Sequence, residues 1–124
     1  MASRGRGAKQ KGNQFEREIS DWISNLTGVR YRRTPNSGAM RMDFPFDLQK
    51  VEQKPSPLDG VGIECKDQKT LAIPAWIKQI EGECIDAGKN PNKWFLIFNI
   101  RGKRYVVLPQ DYYGHLLSLD KLEE

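Results

Sequence analysis

Gly62-Ile63-Glu64-Cys65-Lys66 is the stretch on which the fold turns. Small and β-branched apolar residues alternate there with charged ones, the pattern of a strand whose successive side chains point to opposite faces. In a strand from Val61 to Lys66, Ile63 and Cys65 enter the core, and Glu64 and Lys66 share the other face about 6.6 Å apart. Taken alone, that is equally the pattern of an exposed strand face carrying an ion pair. What surrounds the strand decides between the two.

Upstream, Asn13 to Leu26 is expected to form a helix that stops near Gly28. Phe15, Ile19, Trp22, Ile23 and Leu26 fall within an arc of roughly 100° and make one apolar stripe, with Glu16 at its edge, able to border the core and still reach a cleft. Val29 to Arg33 alternates apolar and basic residues as a strand does, and Thr34 to Ala39 is a turn-rich segment whose hydroxyls and N–H groups suit an anion. Phe44 to Val51 is expected to be a short strand entered at Pro45 and paired with the Glu64 strand, followed by a polar loop holding Pro55 and Pro57.

Downstream, Pro74 fits the first turn of a helix that runs to Ala87 and stops at Gly88, with Trp76, Ile77, Ile80, Cys84 and Ala87 on one face that packs on the sheet. Trp94 to Ile100 is the most apolar run and predicts a central strand. Arg101-Gly102-Lys103 turns it into an antiparallel partner, Arg104 to Leu108. A short closing helix follows Pro109. This order predicts an α/β fold, a central mixed β-sheet flanked by helices, in one domain at residues 12–124 behind a flexible basic arm at residues 1–11.

Composition narrows the class. The 124 residues carry 20 Lys and Arg against 16 Asp and Glu, a net charge of +4. The excess lies toward the front half, which suits a polyanion such as nucleic acid if the fold gathers those charges on one surface. Cys65, Cys84 and the single His115 show neither zinc spacing nor a disulfide framework. Without an apolar run of membrane length, the expected setting is intracellular, in the cytoplasm or with the nucleoid.

The chemistry rests on acids. Asp47 lies in the segment expected to pair with the Glu64 strand, so two carboxylates from neighbouring strands, with the Cys65 carbonyl, offer the hard oxygen ligands that Mg²⁺ takes beside retained waters. Asp43 and Asp59 compete with Asp47 for that role, Asp43 preceding Pro45 and Asp59 falling in a loop. Lys66 reaches toward a water or phosphate beside the metal. Arg30, Arg32, Arg33 and Arg41 flank the cluster as candidate phosphate clamps, or as a solvated strand edge. Lys69 contacts a flanking phosphate or is simply surface, and Gln79 lies beside the Trp76 and Ile80 stripe.

Lys11-Gly12-Asn13-Gln14-Phe15-Glu16-Arg17-Glu18, Arg32-Arg33-Thr34-Pro35-Asn36-Ser37-Gly38, Asp47-Leu48 and Ile63-Glu64-Cys65-Lys66 together resemble the archaeal-type Holliday junction resolvases and their phage relatives, in the PD-(D/E)xK nuclease superfamily. The resemblance spans about residues 11 to 108 and implies a restriction-endonuclease-like fold. It also implies roles: Asp47 and Glu64 bind Mg²⁺ (with Mn²⁺ able to substitute), Lys66 orients or activates the water, Glu16 helps position metal or water, and Ser37, in a mobile arginine- and serine-containing loop, serves both catalysis and DNA contact. The implied activity is paired nicking of four-way junctions by a homodimer, leaving 5′-phosphate and 3′-hydroxyl ends. A nicking or branched-intermediate nuclease of a phage, working in the host cytoplasm, is the alternative within the enzymes. A catalytically silent DNA-binding protein is the alternative outside them. Phe46 departs from the Gly or Pro that many members carry before the aspartate, and the loop with Pro55 and Pro57 lengthens the spacing to Glu64.

Overall fold

The computed structural model describes residues 2–35 and 44–119, with side chains from residue 12 onward. Its elements are α1 (Ala2–Thr27), β1 (Tyr31–Arg33), β2 (Leu48–Lys50), β3 (Gly62–Lys66), α2 (Ile73–Asp86), β4 (Trp94–Ile100), β5 (Lys103–Val107) and α3 (Gln110–Ser118). The expected helix and strand order holds, and the architecture is a small α/β domain of the restriction-endonuclease-like kind.

The sheet is built around β4. It pairs in parallel with β3, Glu64 opposite Leu96 and Lys66 opposite Phe98, and antiparallel with β5. Parallel neighbours need a long crossover, which α2 supplies. The turn from β4 to β5 has only Arg101 and Gly102 between paired Ile100 and Lys103. Both have positive φ, 52° and 82°, as a two-residue hairpin turn that follows strand twist requires.

Alternation along β3 and β4 divides the core in two. Ile63, Cys65, Phe95 and Ile97 pack with Phe15, Ile19 and Ile23 of α1. Trp94, Leu96 and Phe98 face the other way and pack with Trp76, Ile80 and Cys84 of α2, joined by Phe46. Covered on both faces, the parallel pair is buried. The face carrying Glu64 is therefore interior, not the exposed face with an ion pair that the pentapeptide alone also allowed.

Three expectations are corrected. The first helix begins at Ala2 rather than near Asn13, because residues 2–11 contain no Pro and several good helix formers. Trp22 and Leu26 do not join the buried stripe; they remain 47% and 68% exposed, since Phe15, Ile19 and Ile23 alone lie squarely over the sheet and the other two flank it beside Leu58, Val106 and Leu116. The segment around Asp47 does not form a regular ladder with β3. β2 pairs with β1 in a separate two-stranded sheet, Arg32 opposite Gln49, and meets β3 mainly through Asp47. Among the described residues, no helix is long and apolar enough to cross a membrane.

Candidate active site

Asp47 is attached to the residues on either side of Glu64. Its N–H donates to the Ile63 carbonyl at 3.0 Å, and its Oδ2 accepts from the Cys65 N–H at 2.8 Å. The link is held from behind, because the Thr34 N–H donates to the Asp47 carbonyl at 2.7 Å and Thr34 Oγ1 to the Phe46 carbonyl at 2.6 Å. Residue 47 is thus locked across β3 by backbone and side chain together. Its carboxylate stands next to that of Glu64.

Glu64 is 4% exposed and Asp47 8% exposed. Burial pushes the Glu64 carboxyl well above the usual carboxylate range, and neighbouring Asp47 and Glu83 push it further. Ionised carboxylates are acceptors only, and Glu64 Oε1 and Glu83 Oε2 are buried without a hydrogen-bond donor. Such an arrangement favours either a proton on Glu64, able to donate to Asp47 or Glu83, or a cation between the acids. Burial also raises the Cys65 thiol, with Asp47, Glu16 and Glu64 adding to the effect and Lys66 opposing it.

The donor set suits a hard divalent cation. Two adjacent carboxylates, one with an orphaned oxygen, match the one or two carboxylates by which Mg²⁺ is held while keeping its waters. No three Asp, Glu, His or Cys side chains form a ready cage among the described residues, so the fit is to a largely hydrated ion. A thiolate-lined site is a poor match, because the Cys65 side chain packs with Phe15 and Ile19 on the face of β3 opposite Glu64.

Lys66 projects from the same face of β3 as Glu64. Its Nζ donates to Gln79 Oε1 of α2 at 3.4 Å and lies 5.8 Å from the Trp76 ring centroid, within cation–π range. Gln79 Nε2 donates in turn to Glu83 Oε1 at 3.0 Å. The sequence singled out Gln79 but not Glu83. The available signal was helical spacing, because residues four apart stack on one face and Glu83 lies four beyond Gln79, beside buried Cys84.

The other expected site residues are placed as follows. Glu16 reaches β1, where Arg33 Nε donates to its Oε2 at 3.3 Å and Arg33 Nη2 donates to Asn13 Oδ1 at 3.0 Å. Arg32 is exposed; with the Gln49 amide oxygen turned toward it, Nη2 and Nε donate at 2.9 and 3.0 Å. Arg30 is exposed just before β1, and Lys69 is exposed in the loop after β3. Asp59 is engaged elsewhere, taking Lys50 Nζ at 2.6 Å and the Ser56 N–H at 3.0 Å. Ser37, Arg41 and Asp43 lie outside the described residues.

A parallel strand pair between helices, with two apposed carboxylates and a lysine near the end of one strand, is the layout of a PD-(D/E)xK nuclease. The family described as "Phage putative PDDEXK endonuclease" matches residues 7–121, and the chain belongs to that family. No curated protein and no solved structure gives a significant match. Family membership places the chain among nucleases, with DNA as the substrate class.

Proposed function

We propose that the chain is an endodeoxyribonuclease that hydrolyses phosphodiester bonds at Asp47, Glu64 and Lys66. The observation that carries this reading is the 2.8 Å bond from the Cys65 N–H to Asp47 Oδ2, which sets one carboxylate beside another with Lys66 two residues along the strand. Asp47 and Glu64, helped by the Cys65 carbonyl, would hold Mg²⁺ or Mn²⁺, which supplies Lewis-acid stabilisation of the charge that builds on the phosphate. Lys66 orients the attacking water and offsets negative charge on the phosphoryl oxygens. The water oxygen bonds to phosphorus and gives up a proton to solvent, the P–O3′ bond breaks, and the departing O3′ takes up a proton from solvent, so that the proton count balances. The products are a 5′-phosphate and a 3′-hydroxyl.

Glu16 positions the water or the metal from the side of α1, and Ser37, a few residues beyond β1 in the sequence, contributes to the same site. Arg30, Arg32, Arg33, Arg41 and Lys69 meet DNA phosphates, which position the duplex without reading its sequence. The favoured substrate is branched DNA, above all the four-way junction, cut by paired nicks from a two-fold dimer. Resemblance of the four motifs to archaeal-type resolvases supports that choice. The phage family supports a second reading, a nuclease acting on branched or nicked replication intermediates of phage DNA.

Cleavage of four-way, flap, nicked and linear duplex DNA with Mg²⁺ or EDTA separates these readings. A junction resolvase cuts the four-way substrate symmetrically and fastest; a replication-intermediate nuclease prefers the flap or nick. Binding to all four without cleavage would leave a silent DNA-binding protein.

A further inference from the structure

We propose that Glu83 is a positioning residue for Lys66, acting through Gln79. The inference rests on the reading of Lys66 as a nuclease residue and adds a component that the strand motif does not contain. An amide has two chemically different ends, a carbonyl oxygen that accepts and an NH₂ that donates. Rotation by half a turn exchanges them at little steric cost. Lys66 is a donor only and can use only the oxygen.

Glu83 decides which end Lys66 meets. An ionised carboxylate accepts and cannot donate, so Glu83 Oε1 takes the Gln79 Nε2 at 3.0 Å. That leaves Gln79 Oε1 directed at Lys66 Nζ, 3.4 Å away. Gln79 and Glu83 are one helical turn apart on α2, whose packing on the sheet through Trp76, Ile80 and Cys84 holds both relative to β3. Trp76 supports the ammonium from beside the same turn, with its ring centroid 5.8 Å from Nζ. Without the Glu83 acceptor, the amide is free to present NH₂ to the ammonium, two donors face each other, and Lys66 loses its preferred direction.

The test is single-turnover cleavage with Mg²⁺, on whichever DNA the unmutated protein cuts fastest, with DNA affinity measured separately in EDTA. Glu83→Leu and Gln79→Leu should each slow cleavage about tenfold or more by misplacing Lys66, with affinity unchanged. Glu83→Gln retains an oxygen that can accept from Gln79 and should cleave within about threefold of the unmutated rate. The double variant Glu83→Leu/Gln79→Leu should be no slower than Gln79→Leu alone, since the two residues act in one chain.

Unmutated rates in Glu83→Leu would overturn the proposal, as would multiplied losses in the double variant. Glu83→Gln as slow as Glu83→Leu would also overturn it, placing the role of Glu83 in its charge beside Glu64. If circular dichroism shows Glu83→Leu unfolded, the comparison of Glu83→Gln with the exposed-site variant Gln79→Leu still decides. In that comparison, equal rates in the two contradict the proposal. Failure here is distinguishable from failure of the site itself, because Lys66→Ala tests the latter alone: an inactive Lys66→Ala with an unimpaired Glu83→Leu rejects only the positioning role.

Discussion

Phe46 lies so close to Gly62 that a Cβ on residue 62 would stand 2.6 Å from Phe46 Cε1. Phe46 immediately precedes Asp47, and Gly62 is two residues before Glu64, so this contact sets the two acid-bearing segments against each other. Gly62 makes room for the Phe46 ring, which a larger residue at position 62 would displace.

Gly62→Ala should therefore destabilise the protein by roughly 1–3 kcal/mol, the usual cost of overpacking a well-filled core, and should slow cleavage by displacing Asp47. Phe46→Leu added to Gly62→Ala should recover part of the stability. Urea unfolding of the single and double variants measures it. Strictly additive losses would show that the ring and the glycine are not coupled.

Glu64→Gln should stabilise the metal-free protein at neutral pH while abolishing cleavage. Removing a buried carboxylate oxygen that lacks a donor relieves a penalty of roughly 1–3 kcal/mol. The pH dependence follows from the direction of the shift. The Glu64 carboxyl is raised in the folded state, so between its ordinary value and the raised one the folded protein binds more protons than the unfolded chain. Stability then falls as pH rises through that window. Thermal melts of unmutated protein and Glu64→Gln across acid to neutral pH should diverge in that sense, the variant lacking this component of the fall.

Two neighbouring arginines should behave differently. Arg32 is exposed and bonded to Gln49, so Arg32→Ala should weaken DNA binding and reduce the log–log salt slope by about one, with little change in melting temperature. Arg33 is tied to Glu16 and Asn13, so Arg33→Ala should weaken binding and also loosen α1 from β1, by about 1 kcal/mol for a partly buried pair. Equal melting temperatures for the two variants would show that the Glu16 contact contributes nothing to the fold.

Much of this architecture was legible in the residues. Trp94–Ile100 is a strand at the expected bounds because the apolar run Trp94 to Phe98 at its heart has no alternative to a central position, and α2 begins with Pro74 in its first turn as its sequence required. The order of elements and the common face of Glu64 and Lys66 followed from periodicity. Burial of that face did not, since only the packing of α2 and Phe46 across it makes Glu64 an interior carboxylate. Nor did the Asp47 anchorage: it depends on a side chain bonding to a backbone N–H 18 residues away, which no local pattern encodes. Asp59 lost its place as a competitor for a similar reason, because Lys50 and the Ser56 N–H capture it. Helical spacing alone puts Glu83 on the Gln79 face of α2, but its place beside Glu64 depends on how α2 packs against β3.

Cleavage of labelled four-way and nicked DNA by unmutated protein and by Lys66→Ala, each with Mg²⁺ and with EDTA, is the decisive assay. Unmutated protein should yield 5′-phosphate products with Mg²⁺ alone, and Lys66→Ala should bind DNA without cutting it. Cleavage that persists in EDTA, or full activity in Lys66→Ala, would contradict the proposed site.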